Sequence, residues 1–121
     1  RFGHLFLNDG VWNGERILPE GWVEESTLPY SVFDEDRYDQ GGYGYMWWVS
    51  VDGRHFGSVE SVPEGTYTAR GARGHILAVA PSMDLVFVHR TDTAVSGQRT
   101  SYDDIGRVFE QVVNSYNGDT R

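Results

Sequence analysis

The chain has 121 residues, no cysteine, and 18 acidic against 10 basic residues, for a formal net charge of −8. One domain is the expectation from length, residues 1–121, and the acidic balance argues against nucleic acid, whose phosphates need a basic surface. No apolar run approaches the roughly 18 residues that would cross a bilayer. Without cysteine there is no disulfide framework, thiol nucleophile or cysteine-based zinc site.

Every basic residue is arginine, so any mechanism that needs a lysine is excluded within this chain. The chain starts at Arg1 and runs at once into Phe2, Leu5, Phe6 and Leu7, which reads as a helix end. The expectation is a piece of a longer domain. Asn8-Asp9-Gly10 stops this helix, since Asn and Gly accept the left-handed conformation. Asn13-Gly14, between Val11-Trp12 and Glu15–Leu18, predicts a small hairpin. Pro19 then opens a short helix carrying Trp22 and Val23, closed by Leu28-Pro29.

Residues 31–42 are polar and acidic (Asp34, Glu35, Asp36, Asp39) and predict an exposed loop. Tyr43–Val51 alternates with many aromatics and predicts one strand, turned by Asp52-Gly53. Residues 54–65 give no clear element, and Thr66–Gly71 predicts a further strand. Two dense apolar runs follow, His75–Ala80 and Leu85–His89, around Pro81-Ser82-Met83-Asp84. Pairing Ala80 with Leu85 puts Leu77, Val79, Val86 and Val88 on one face and Ile76, Ala78, Ala80, Leu85 and Phe87 on the other. Both faces are apolar, so the hairpin belongs inside a layered structure. The last segment is a helix: Ile105, Val108, Phe109, Val112, Val113 and Tyr116 form one stripe, Ser101 is the N-cap, and Gly118 ends it. The fold class is α+β, an antiparallel β-sheet flanked by helices.

Chemistry-bearing residues are sparse. His4, His55, His75 and His89 lack metal-type spacing, and no metal or cofactor is expected. Trp12, Trp22, Trp47 and Trp48 read either as core aromatics or as a carbohydrate platform. Ser115-Tyr116-Asn117 sits at a helix end and is read as coincidence. Gly71-Ala72-Arg73-Gly74 is either a tight turn or a backbone edge offering N–H groups to a carbonyl or oxyanion.

Three blocks in order, Phe2–Thr27 (FGHLFLNDGVWNGERILPEGWVEEST), Gly42–Val49 (GYGYMWWV) and Ala69–Thr93 (ARGARGHILAVAPSMDLVFVHRTDT), resemble the serine β-lactamase-like hydrolases. This group includes class C β-lactamases, penicillin-binding proteins, family VIII esterases and nylon-oligomer hydrolases, and the chain is most similar to the esterase and nylon-oligomer branch. With the final helix, the blocks cover nearly the whole chain. The resemblance implies the C-terminal portion of a β-lactamase/transpeptidase-like fold. In the intact protein it implies hydrolysis of a small ester, amide or peptide-like substrate through an acyl-enzyme.

That chemistry uses a Ser-x-x-Lys pair, with a Tyr from a Tyr-x-Asn element helping to move the serine proton. Both precede the matched segment, and neither occurs here, so no catalytic residue is expected in this chain. The family's Lys-Thr-Gly element would fall at Ala69-Arg70-Gly71, where only the glycine matches. This departure argues against β-lactamase activity. The resemblance gives Ala72 the role of second oxyanion-hole donor through its backbone N–H. Arg70 would alternatively lie near a substrate carboxylate. It further implies that segments N-terminal to this chain, or a second subunit of a homo-oligomer, cover the hairpin face that the last helix leaves open. Two other readings stand beside the hydrolase: a non-catalytic module of the same fold binding a ligand or partner beside Gly71–Gly74, and an aromatic carbohydrate-binding module.

Overall fold

The structure is a computed structural model that describes residues 1–34, 41–57, 59 and 62–118. The predicted apolar hairpin forms strands β7 (Ile76–Ala80) and β8 (Leu85–His89), with β8 the outermost strand of the large sheet. Their register pairs Ala80 with Leu85, Ala78 with Phe87 and Ile76 with His89, as the patterning predicts. Pro81–Met83 form a single 3-10 turn, and Asp84 closes it in the left-handed region at φ 51°.

Burying both faces of this hairpin needs two layers. On one face lies the C-terminal helix α3 (Tyr102–Gly118), whose Ile105, Phe109 and Val113 meet Ile76, Ala78 and Ala80, with Leu85 and Phe87 beside them. The buried stripe is narrower than predicted: Val108 and Tyr116 face solvent, because a single flat sheet face accepts only the i, i+4, i+8 row. Ser101 caps α3 reciprocally with Asp104: the Asp104 N–H donates to Ser101 Oγ at 3.1 Å, and that hydroxyl donates to the Asp104 carboxylate at 2.7 Å.

The opposite face is covered by α1 (Phe2–Leu7), which packs on β7 and β8 from within the chain. Phe6, Trp47, Val49, Tyr67 and Val79 form the second core, joined by Leu77 and Val86. Val88, at the far end of this face, stays 59% exposed. Helix α1 ends where Asp9 (φ 49°) and Gly10 (φ 78°) turn left-handed, with the Gly10 N–H donating back to the Leu5 carbonyl at 2.8 Å. Strands β1 (Val11–Trp12) and β2 (Glu15–Arg16) follow as the predicted hairpin, and Asn13 and Gly14 both take positive φ.

Strands β3 (Ser31–Val32), β4 (Gly42–Tyr43), β5 (Trp48–Val49) and β6 (Tyr67–Arg70) complete a six-stranded antiparallel sheet whose spatial order equals the chain order, β3 to β8. Three expectations are corrected here. Helix α2 spans Trp22–Ser26 and starts after Gly21, not at Pro19. Gly21 is left-handed (φ 78°), and Pro19 is used in the preceding turn, its carbonyl accepting from the Trp22 N–H at 3.1 Å. Tyr43–Val51 is not one strand but the hairpin β4–β5. The chain reverses at Tyr45-Met46, where Met46 takes φ 65° and the Gly44 N–H donates to the Trp47 carbonyl at 2.8 Å. Alternation alone cannot reveal this reversal, because residues on both sides of a two-residue turn keep an aromatic character. The ends of the acidic segment pair as β3 and β4, and the rest of it, residues 35–40, lies outside the described residues.

Residues 54–57 and 62, which carry no sequence pattern, supply core: Phe56 is fully buried against Phe109, with ring centroids 5.5 Å apart. Gly106 on α3 makes this contact possible. A Cβ there would stand 2.5 Å from the Phe56 Cβ. In an open helix, replacing glycine by alanine adds about 1 kcal/mol of stability. Here Gly106→Ala is expected to lower stability by about 1–3 kcal/mol, as overpacking does, read from the urea midpoint at unchanged m.

Candidate functional site

Strand β6 meets β7 along its whole length, from Tyr67 opposite Val79 to Arg70 opposite Ile76. Its other side meets β5 only at Tyr67 and Thr68. Beyond Trp48 the β5 chain turns away through Trp47 and Met46, so among the described residues no strand pairs with Ala69, Arg70 and Gly71 on that side. Backbone parity decides which groups point there. The Gly71 N–H donates to the His75 carbonyl at 2.8 Å, toward β7, while the Thr66 carbonyl accepts from the Ser50 N–H at 2.8 Å, toward β5. Odd residues of β6 thus address β7, and even ones address the side that opens after Thr68. Gly71 is extended (φ −109°, ψ 168°), so the alternation holds through Arg70, whose backbone addresses the open edge; the exposed Ala72 begins the next turn, its carbonyl accepting from the His75 N–H at 3.5 Å.

The turn at this edge is strained. Ala72–Gly74 form one 3-10 turn, in which Arg73 is left-handed at φ 63° and ψ 17°. Gly74, at φ 97°, lies where a Cβ would be 2.6 Å from the Thr100 carbonyl oxygen, so only glycine fits.

Of the predicted positions, the Ala69 and Arg70 side chains go separate ways. Ala69 faces the α1 side with Leu77. Arg70 faces the α3 side, and its guanidinium lies over three rings, Trp48 at 4.9 Å, Tyr102 at 5.0 Å and Phe56 at 5.5 Å. It donates to the His55 carbonyl and, at 3.1 Å, to Thr68 Oγ1. Tyr102 in turn donates to the Gly71 carbonyl at 3.4 Å. The arginine thus joins β5, β6, the His55-Phe56 segment and the start of α3 behind the open edge. Tyr102, His55 and Phe56 have no motif that would have marked them in the sequence; only the register of β6 brings them together.

His55 is fully buried, with neither ring nitrogen hydrogen-bonded. Burial, and secondarily the Arg70 guanidinium, hold its pKa well below the ordinary 6.5; the Val49 backbone opposes this without reaching hydrogen-bonding geometry. The ring is therefore neutral at pH 7. Burial also pushes the Tyr67 phenol up, with Asp9 adding to it. His89 is occupied structurally, its Nδ1 2.7 Å from the Gly74 carbonyl and donating to it. Among the described residues no three His, Asp or Glu side chains gather as a metal site, and no helix is long and apolar enough to cross a membrane.

Next to the strained turn is a cavity of about 740 Å³ between Arg73, Gly74, Gln98, Arg99, Ser101 and Asp103. Its one acid, Asp103, is paired with Arg107 at 2.8 Å, which leaves two guanidiniums to set the local charge of an otherwise acidic chain. Arg73 reaches the Thr93 carbonyl at 3.3 Å, and Arg99 is exposed. Of the tryptophans, Trp47 is buried and Trp22 is 39% exposed, so they do not form one solvent-facing platform.

No protein-family model matches the chain, and no curated protein does. Among solved structures, the chain is similar to a Bacillus anthracis protein provisionally described as a 6-aminohexanoate-dimer hydrolase, with a TM-score of 0.60 and 24% identity. The alignment covers 97% of this chain and 27% of that one, so the chain spans little more than a quarter of the length of the hydrolase. The likeness is one of fold, distant in sequence, and it agrees with the architecture that the resemblance to β-lactamase-like and nylon-oligomer hydrolases implies.

Arg70→Met keeps the stem but removes the charge and the hydrogen bonds to His55 and Thr68. It is expected to lower stability by about 2–3 kcal/mol, measured by urea unfolding. His55 sets an acid limit. Unfolded, it binds a proton near 6.5; folded, only well below that. Its contribution is complete above pH 6.5 and is lost as pH falls from there toward the depressed folded value, by at most about 1.4 kcal/mol per pH unit. Unfolding midpoints between about pH 7.5 and 5 should fall more steeply in the wild type than in His55→Gln; parallel slopes would exclude this role.

Proposed function

We propose that the chain is the C-terminal portion of a β-lactamase-related serine hydrolase that acts on ester or amide carbonyls through an acyl-enzyme. The observation that supports this reading is the free edge of β6 after Thr68; the reading takes the Ala72 N–H to face that edge. In this reading Ala69–Ala72 form the strand wall of the site. The Ala72 N–H stabilises the oxyanion, and the substrate lies along the edge that β5 leaves free. Arg70 acts from behind the edge, its charge occupied by the aromatic cage, which favours a supporting role over contact with a substrate carboxylate. The nucleophile, its base and the first oxyanion donor belong to segments preceding Arg1. The likeness to a hydrolase fold more than three times as long supports this, as does Val88, still exposed on the α1 face where further segments or a second subunit would pack.

This chain alone should show no turnover of p-nitrophenyl esters above buffer; turnover blocked by a serine-directed inhibitor would overturn the proposal. In a longer protein carrying Ser-x-x-Lys and Tyr-x-Asn upstream, Ala72→Pro removes the donor N–H. It should lower kcat by about 10²–10³-fold while leaving the amount of folded protein unchanged.

The second reading, a non-catalytic ligand-binding module, is favoured by the cavity beside Gly74 with Arg73 and Arg99. It predicts saturable binding of a small dicarboxylate such as succinate, seen as amide shifts at residues 97–101 and lost in Arg99→Ala. Binding in a protein whose upstream frame lacks the serine–lysine pair would select this reading over the hydrolase.

A further inference from the structure

Where helix α1 meets the β1–β2 hairpin, the chain encloses a cavity of about 430 Å³ lined by His4, Asn8, Val11, Trp12, Asn13 and Gly14. It shares no residue with the β6 edge or with the turn at Gly71–Gly74. Its size falls in the roughly 300–1,000 Å³ range of small-molecule sites. The walls come from local sequence. Asn8 follows the last residue of α1, its amide donating to the His4 carbonyl at 2.8 Å. Asn13 and Gly14, both with positive φ, turn the hairpin that carries Trp12.

Two ties fix the hairpin against the helix. Arg16 of β2 donates to the Asp9 carbonyl at 2.9 Å and the Leu18 carbonyl at 3.2 Å, and it pairs with the Asp9 carboxylate at 3.3 Å. The Ile17 N–H donates to the Gly10 carbonyl at 2.8 Å. Trp12 is thus held half-buried beside the end of α1. Its ring neighbour among the described residues is His4, with centroids 5.6 Å apart and planes at 77°. Asp9 and Arg16 satisfy each other, and no Asp, Glu or Arg side chain lines the cavity. Among the described residues the Asn8 side-chain oxygen and the whole Asn13 amide have no hydrogen-bond partner.

What remains is one indole plane bordered by two amides and an imidazole. A strongly charged ligand would find no carboxylate or guanidinium to pair with. A flat base gains most between two parallel rings, and His4 stands across Trp12 rather than along it. A pyranose matches the set. Its axial C–H groups present an apolar face to a single indole, while its equatorial hydroxyls point sideways at planar groups that both donate and accept. We propose that this cavity binds one pyranose ring of a neutral saccharide, stacked on Trp12, with its hydroxyls bonded to Asn8, Asn13 and His4. The proposal is independent of acyl transfer, since it concerns binding to this chain at a place apart from the β6 edge.

The test is a titration of the chain with methyl β-glucopyranoside, whose ring substituents are all equatorial, and with sorbitol, which offers hydroxyls without a ring. Binding is followed by the indole N–H and side-chain amide resonances. The glucoside should saturate in the millimolar range. It should move the Trp12 indole and the Asn8 and Asn13 amides, and leave Trp22 and Trp47 in place. Sorbitol, with no face to stack, should bind at least about five-fold more weakly. Trp12→Ala should weaken the glucoside about ten-fold. Asn13→Gly keeps a residue that accepts positive φ and removes only the amide, so it reads the site even if Trp12→Ala does not fold; about three-fold weaker binding is expected. No saturation below about 50 mM, sorbitol binding as tightly as the glucoside, a response centred on Trp22 or Trp47, or unchanged affinity in Asn13→Gly would each overturn the proposal. Adenine binding more tightly than the glucoside would overturn it as well, and would mark the cavity as a site for a flat base.

Discussion

The rest of the structure depends on a hairpin that is apolar on both faces. Leu77, Val79 and Val86 must be covered on one side, and Ile76, Ala78, Ala80 and Phe87 on the other. A sheet with one wet face would leave a row of these in water, at about 25 cal/mol for each Å². The chain meets the demand from its two ends, with α1 on one side and α3 on the other. The two cores are separated by the sheet and share only its backbone. Close contact on the α3 side relies on Gly106 against Phe56, and the α1 side on Phe6 against Trp47 and Tyr67.

The candidate site lies where this scheme stops. β5 pairs with the first half of β6 and then turns at Tyr45-Met46, so one local reversal leaves the second half of β6 without a strand on that side among the described residues. Behind the edge, Arg70 replaces what would be an apolar contact with a cation among Trp48, Phe56 and Tyr102. A charge in that position is tolerable only because rings and carbonyls surround it. The arrangement ties the start of α3 to the strand end, so the geometry of the Gly71–Gly74 turn depends on helix packing as well as on its own glycines.

The elements legible in the sequence are those whose signal is local and periodic. The β7–β8 register followed from the alternation, the β1–β2 turn from Asn13-Gly14, and the cap of α3 from Ser101. Where the sequence misled, the deciding contact was distant. The aromatic run Tyr43–Val51 has strand alternation, yet Gly44 sits against the Ser26 and Leu28 carbonyls, and the Tyr45 N–H donates to Ser26, which bends the chain back. Pro19 is a good first helical residue but is used in a turn before Gly21. For the candidate site, the stretch Ala69–Ala72 was singled out through Gly71 and the nearby Gly74 and through resemblance. The Arg70 cage was not, since His55, Phe56 and Tyr102 come from three separate segments with no common spacing. Arg73 and Arg99 line one cavity although 26 positions apart in the chain, for the same reason.

The spatial order of the large sheet is also its order along the chain, β3 through β8. Each strand therefore joins a neighbour just made, and closing each loop costs little entropy beyond the last. The hairpin of β7 and β8, joined by four residues, is the cheapest of these steps, on the microsecond scale of isolated hairpins. The helices are the opposite case. They come from the two ends of the chain, and each needs an assembled sheet face before its apolar side has anything to meet. Helix α1, which packs on β7 and β8 from the other end of the chain, makes the longest-range contact of the assembly and therefore costs the most loop-closure entropy.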